Sequence, residues 1–169
     1  YAQVATPAAT LPEVVVTGNP LGSDLFELAA PASLLQGAEL FRLRAPTLGD
    51  TLDGLPGVAA TGFGPNASRP VIRGLDGDRI RILQNGAGMH DASSLSFDHA
   101  VALDPLVIER AEVVRGPAAL FYGGNAVGGV VNVIDNRIPQ AAISGISGRA
   151  ETRFGGAARE KATGVVLEA

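Results

Sequence analysis

The stretch Val113-Val114-Arg115-Gly116-Pro117-Ala118-Ala119-Leu120-Phe121-Tyr122-Gly123, continued by Gly128-Gly129-Val130-Val131-Asn132-Val133-Ile134, decides the reading of this chain. By local rules it is a buried strand, a Gly-Pro break, one short helical turn, a glycine-rich bend and a second buried strand. Pro117 suits a first helical position, because the N–H it lacks would have had no intrahelical partner. The glycines at 123, 124, 128 and 129 permit positive φ and close backbone approach. These rules alone assign no function.

Upstream, the strand before the break extends from Val107 to Arg115 and carries Glu109, Arg110 and Glu112 among apolar residues. Val71-Ile72-Arg73-Gly74 and Ile80-Arg81-Ile82-Leu83 read as strands. The Gly-containing turn Leu75-Asp76-Gly77-Asp78 between them suggests a hairpin. Residues 84–100 read as a long polar connection. Ala38–Leu43 is helical and is broken by Pro46. Thr47-Leu48-Gly49-Asp50 forms a capping box, and Leu48, Leu52 and Leu55 fall on one buried stripe. Pro56-Gly57 stops that helix. Residues 1–12 are small, polar and Pro-containing and are expected to be disordered. Glu13-Val14-Val15-Val16-Thr17 is a β-branched burst that favours extended backbone; from pattern alone it fits an edge strand.

Past Pro139 the pattern changes. Ile146, Gly148, Ala150, Thr152 and Phe154 alternate with Ser147, Arg149, Glu151 and Arg153. A period of two with charges on one face suits a transmembrane barrel strand, and equally a solvated antiparallel strand. Residues 156–160 look like a turn, and Lys161–Ala169 like the start of a second strand. Two strands cannot close a barrel, and open edges are not tolerated in lipid, so on the barrel reading the rest of the barrel lies outside this chain.

With 169 residues the chain suffices for one domain with a core, or slightly more than one. Its 22 glycines and 11 prolines call for abundant turns. Thirteen basic against 17 acidic residues give a net charge of −4, and the arginines are scattered, so nucleic acid is not an expected partner. Cysteine is absent, which rules out thiolate metal sites and catalytic thiols. No apolar run reaches about 18 residues, so no transmembrane helix is expected. The N-terminus lacks a charged start and apolar block, so any signal peptide is expected to have been removed. Gly116–Gly129 lacks the Gly-Lys-Ser/Thr ending of a phosphate-binding loop, and no serine sits in a Gly-x-Ser-x-Gly elbow. Nothing argues for an enzyme.

Both histidines fall within His90-Asp91-Ala92-Ser93-Ser94-Leu95-Ser96-Phe97-Asp98-His99. Imidazole nitrogen and carboxylate oxygen are acceptable Zn²⁺ ligands, although a closed site usually needs four. From chemistry alone, each His-Asp neighbour pair is also a plain hydrogen-bonded pair. Arg73 and Arg115, each followed by glycine, are suited to bidentate carboxylate pairing, within the domain at Glu109 or Glu112 or with an outside partner.

As a string, residues 113–134 closely resemble the end of the plug domain of TonB-dependent outer-membrane receptors. Leu48-Gly49-Asp50-Thr51-Leu52…Leu55-Pro56-Gly57-Val58 and Arg73-Gly74 are similar to further motifs of that family, and the resemblance covers residues 11–139. It implies an α+β plug over residues 20–140, with a small mixed β-sheet, short helices and long loops. A tail, residues 1–19, carries a TonB box at about 12–17, and residues 141–169 begin a transmembrane β-barrel. It further implies a bacterial outer-membrane location with the N-terminus periplasmic. The energiser protein would pair with Glu13–Thr17 by β-augmentation, and Arg73 and Arg115 would brace the plug against barrel-wall glutamates. Asp91-Ala92-Ser93…Ser96…Asp98-His99-Ala100-Val101 resembles the zinc-uptake branch. There Asp98 and His99 would share transported Zn²⁺ with barrel residues, His90 and Asp91 being further candidates, and no resident cofactor is required. A ferric-siderophore or haem receptor is the alternative within this architecture. A soluble periplasmic metal-binding module is the alternative outside it.

Overall fold

The computed structural model describes residues 32–64, 66–96, 98–137, 145–155 and 159–169. The 1–19 tail with its Glu13–Thr17 segment therefore lies outside the described residues. The elements are β1 (Ala32–Gln36), α1 (Gly37–Leu43), α2 (Leu48–Leu52), β2 (Val58–Ala60), β3 (Pro70–Ile72), β4 (Ile80–Gln84), β5 (Ala87–Gly88), β6 (Ile108–Arg115), β7 (Gly129–Asp135), β8 (Ser147–Gly155) and β9 (Glu160–Glu168), with short 3₁₀ turns between several of them.

A five-stranded mixed sheet in the order β1-β6-β7-β4-β5 carries the core. Strands β6 and β7 pair antiparallel, while β7 and β4 pair parallel. Because β6 and β7 are central, both of their faces are buried from Ala111 to Arg115 in β6 and at every β7 position but Ile134. On one face Leu35, Ile82, Val113, Val131 and Val133 pack with Leu40, Leu48, Leu52 and Ile72. On the other, Leu83, Val114 and Val130 lie under Ala119 of the Pro117–Tyr122 3₁₀ turn. Gly129 opens β7 at φ 152°, where a Cβ would stand 2.8 Å from the Val114 carbonyl oxygen; no side chain fits between these strands. Thr47 is the N-cap that the sequence predicts, the Asp50 N–H donating to its Oγ1 at 3.1 Å, while Asp50 Oδ2 accepts from the Thr47 hydroxyl at 2.9 Å in place of the backbone N–H of a full capping box. Leu48 and Leu52 are buried beneath it.

Two expectations are corrected. Strands β3 and β4 are not a hairpin: β3 pairs with β2 in a separate two-stranded sheet, and β4 joins the large sheet beside β7. The reversal occurs earlier, at Arg73-Gly74 (φ 52° and 77°), and closes one rung, Ile72 to Leu75. Ile80, Ile82 and Leu83 are all buried, so β4 needs cover on both faces, and a two-stranded sheet offers none. Residues 84–100 are likewise not all connection. Asn85-Gly86 (φ 50° and 79°) makes a two-residue hairpin between β4 and β5, the Asn-Gly signature of a type I′ turn.

Strands β8 and β9 form a two-stranded antiparallel hairpin in full register from Ser147↔Glu168 to Gly155↔Glu160. Ile146, Phe154, Val165 and Leu167 are exposed, while Glu151, Arg153, Glu160 and Glu168 turn toward the rest of the protein. No closed barrel exists among the described residues.

Candidate functional site

The loop between β5 and β6 is built on two aspartates. Asp91 caps the 3₁₀ turn Ala92–Ser94: its Oδ1 accepts from the Ser93 N–H at 3.0 Å and from Ser93 Oγ at 2.5 Å. Its Oδ2 accepts from the Ala102 N–H at 3.1 Å, which ties the loop's start to its end. Partial burial pushes the Asp91 carboxyl up, but these hydrogen bonds and the nearby Arg69 outweigh it and hold the group below the usual carboxylate range. Asp104 caps the following turn by accepting from the Leu106 N–H at 2.9 Å.

Between these anchors Asp98 and His99 stand out from the surface, their side chains 45% and 54% exposed, with His99 Nδ1 2.8 Å from Asp98 Oδ1. Hydrogen bonds from Ser96 and His99 lower the Asp98 carboxyl below its ordinary value. A carboxylate held ionised beside an imidazole can supply two metal ligands, half of the usual four. The structure does not bring His90 and Asp91 to this pair. Both line a separate cleft with Arg69 and Arg81, and among the described residues no three His, Asp or Glu side chains are grouped to hold a metal.

Arg73 and Arg115 do come together. Arg115 is 5% exposed, and its Nη2 donates to Ser33 Oγ at 2.5 Å. Burial lowers its guanidinium below the ordinary value, and the neighbouring Arg73 charge lowers it further. Of the two acids considered as internal partners, Glu112 has Arg110 Nε at 3.1 Å and Glu109 has Arg149 at 4.0 Å. Glu112 also accepts from Asn132 Nδ2 at 3.1 Å, its cross-strand neighbour.

Sequence reasoning missed the contacts that join the sheet domain to the β8–β9 hairpin. The Arg44 guanidinium, its side chain 6% exposed, pairs with Glu151 and donates from Nη2 to the Ile108 carbonyl oxygen at 3.0 Å. Arg149 reaches the Leu106 carbonyl oxygen at 3.4 Å, and Asn136 pairs with Glu168. The alternating charges of β8 showed that one face met polar partners. The partners themselves lie up to 107 residues away and leave no local trace.

Comparison with known proteins gives this arrangement its family. Residues 24–130 match the family model of the TonB-dependent Receptor Plug Domain. The chain is 34% identical over 125 residues to the vitamin B12 transporter BtuB of Vibrio vulnificus (strain CMCP6), covering 72% of this chain and 20% of that protein. It is 34% identical over 119 residues to the hemin receptor of Yersinia pestis, covering 70% and 17%. Among solved structures, a mutant of the ferric enterobactin receptor PfeA from Pseudomonas aeruginosa superposes with a TM-score of 0.59 at 28% identity, over 73% of this chain and 19% of that one. The chain spans about a fifth of the length of these relatives. With its mixed sheet, short helices and matching residues, this chain belongs to the plug-domain family of TonB-dependent receptors, proteins of the bacterial outer membrane.

Proposed function

We propose that this chain is the gate of an outer-membrane receptor that imports zinc or a zinc complex, driven by a TonB-type energiser pulling on Glu13–Thr17. No bond is made or broken in this role. The observation that carries the zinc reading is the outward Asp98–His99 pair, 2.8 Å apart on a loop braced by Asp91. Two ligands from the plug leave the others to the wall of the receptor, so the metal would bind where plug and wall meet. The β8–β9 hairpin supports such a wall. Its charged face turns to the plug and its apolar residues turn outward, the arrangement of lipid-facing barrel strands. On this reading the plug occupies about residues 20–140, barrel strands begin after 141, and Arg73 and Arg115 meet glutamates of the wall.

The test is zinc binding by the full receptor in isothermal titration. His99→Ala should weaken zinc by at least tenfold, as loss of one ligand does, while His90→Ala should change it little. Unchanged affinity in a folded His99→Ala receptor would end the zinc reading. The relatives named for hemin and ferric enterobactin favour a haem or ferric-siderophore gate as the second reading.

A further inference from the structure

Gly37, Phe41 and Arg44 recur at i, i+4 and i+7, so α1 and its C-cap carry them on one face. That face lines a groove of about 370 Å³ whose opposite wall is Arg149, Ala150 and Glu151 of β8. At its end the contact is complete: Arg44 pairs with Glu151, and the two side chains are 6% and 19% exposed. One helical turn earlier it stops short, and Phe41 is 63% exposed. A lone exposed phenyl ring is ordinary, but this one continues a stripe that is already docked. The hairpin's rungs show on which side the stripe lies. Glu151 of β8 and Gly164 of β9 stand directly opposite each other. On that rung Leu106 sits over β9, so close that a Cβ at Gly164 would stand 3.2 Å from Leu106 Cδ1, while Arg44 sits at β8. Helix α1 is therefore displaced toward the edge of β8 that faces away from β9. Among the described residues no strand pairs with that edge.

We propose that the Gly37–Phe41–Arg44 face of α1 is the docking surface for the wall strand that pairs with the open edge of β8, with Phe41 packed against that strand's inward side. The interface begun by Arg44 and Glu151 then continues across the groove onto the next strand. An open strand edge is not tolerated in lipid, so the edge of β8 needs a partner. In a closed up-and-down barrel the second neighbour of the first strand is the last strand, which makes the occupant the C-terminal strand of the receptor. Inward positions of barrel strands are usually polar. Beside Phe41 that strand carries an apolar side chain instead, since a polar group held against the phenyl ring would lose water without gaining a hydrogen bond. The proposal rests on reading the hairpin as the start of a barrel wall, and not on zinc.

The experiment places the photo-reactive aromatic p-benzoylphenylalanine at position 41 of the full receptor and identifies the cross-linked peptides by mass spectrometry. A cross-link to the C-terminal strand supports the proposal. The same probe at Phe63, which is exposed and outside the groove, should not reach that strand. Cross-links to the N-terminal tail, to another wall strand or to another protein, or equal yields from positions 41 and 63, would overturn it. Heat-modifiable migration in electrophoresis reports the barrel separately. A receptor without it ends the wall reading and the docking with it, whereas a folded barrel with no cross-link ends the docking alone. A second measurement needs no probe. Phe41→Ser should speed amide exchange in residues 39–43 by about tenfold or more in the full receptor, as loss of a buried phenyl side chain does. In the 169-residue chain, where Phe41 already faces water, the same change should have little effect. Equal effects in the two proteins would overturn the proposal as well.

Discussion

Replacing Gly49 by alanine sets two effects against each other, and the structure says which is larger. Gly49 lies inside α2, where helix propensity alone favours alanine by about 1 kcal/mol. Its backbone, however, presses on the segment that leads into β3. A Cβ at this position would stand 2.4 Å from Ser68 Oγ and 2.7 Å from the backbone N and C of Arg69. The serine hydroxyl can rotate away. The Arg69 backbone cannot, because its N–H donates to Thr61 Oγ1 at 2.9 Å and its carbonyl oxygen accepts from the Thr61 N–H at 2.9 Å. Relief therefore requires α2 to lift off its neighbour by most of an ångström, prising apart the contacts of Leu48 and Leu52. Overpacking of this kind costs about 1–3 kcal/mol, so we expect a net loss of about 1–2 kcal/mol after the propensity gain. Urea unfolding of the 169-residue chain, followed by far-ultraviolet circular dichroism, reads this as a lower midpoint at unchanged slope. Gly62→Ala is the control: nothing lies within 4 Å of its Cβ position, and a change within about 0.5 kcal/mol is expected. A Gly49→Ala chain as stable as the parent would refute the packing argument.

Further outcomes follow from the remaining contacts. A double-mutant cycle on Arg44→Met and Glu151→Gln should give a coupling of about 1–3 kcal/mol in unfolding, and a coupling near zero would mean that the hairpin does not depend on this pair. Burial raises the Asp135 carboxyl, but hydrogen bonds from Asn85 and Arg137 outweigh this and leave it depressed. Its contribution to stability is therefore fully present above the ordinary carboxylate value near 4 and disappears as pH falls through the lower folded-state value. Asp135→Asn should flatten the loss of stability below about pH 4, as measured by melting at stepped pH; an unaltered profile would contradict the assignment. Val15→Pro should abolish energised uptake by the full receptor while cargo binding persists, because proline removes an N–H needed for strand pairing; transport assays with intact cells decide it.

The parts of this fold that could be read from the sequence are those specified by neighbours along the chain. Thr47 and Asp50 lie three residues apart and cap α2 as the sequence requires. The apolar run at residues 130–134 of β7, broken only by Asn132, announces a strand buried on both faces. The β3–β4 connection misled because Gly77 looked like a hairpin turn, whereas β4's burial on both faces sends it to another sheet. The shorter signal, Asn85-Gly86, was hidden among polar residues and followed by a strand of only two residues. For the candidate site, the Asp98–His99 contact follows from adjacency. Asp91 is instead spent on capping the Ala92–Ser94 turn and on the Ala102 N–H, a structural use that composition does not reveal.

Strand β7 ends at Asp135 and β8 begins at Ser147. Whatever path the intervening peptide takes, twelve Cα steps extend to at most about 40 Å. A domain of about 100 residues has a radius of gyration near 13 Å, and hence a width of roughly 30–35 Å. The covalent leash between the sheet domain and the hairpin is thus about as long as the domain is wide. Chain length alone would let the whole domain swing clear of the hairpin. What holds the hairpin against the domain must then be side chains, among them Arg44 against Glu151, so that ionic clasps rather than the covalent chain decide whether the two stay together.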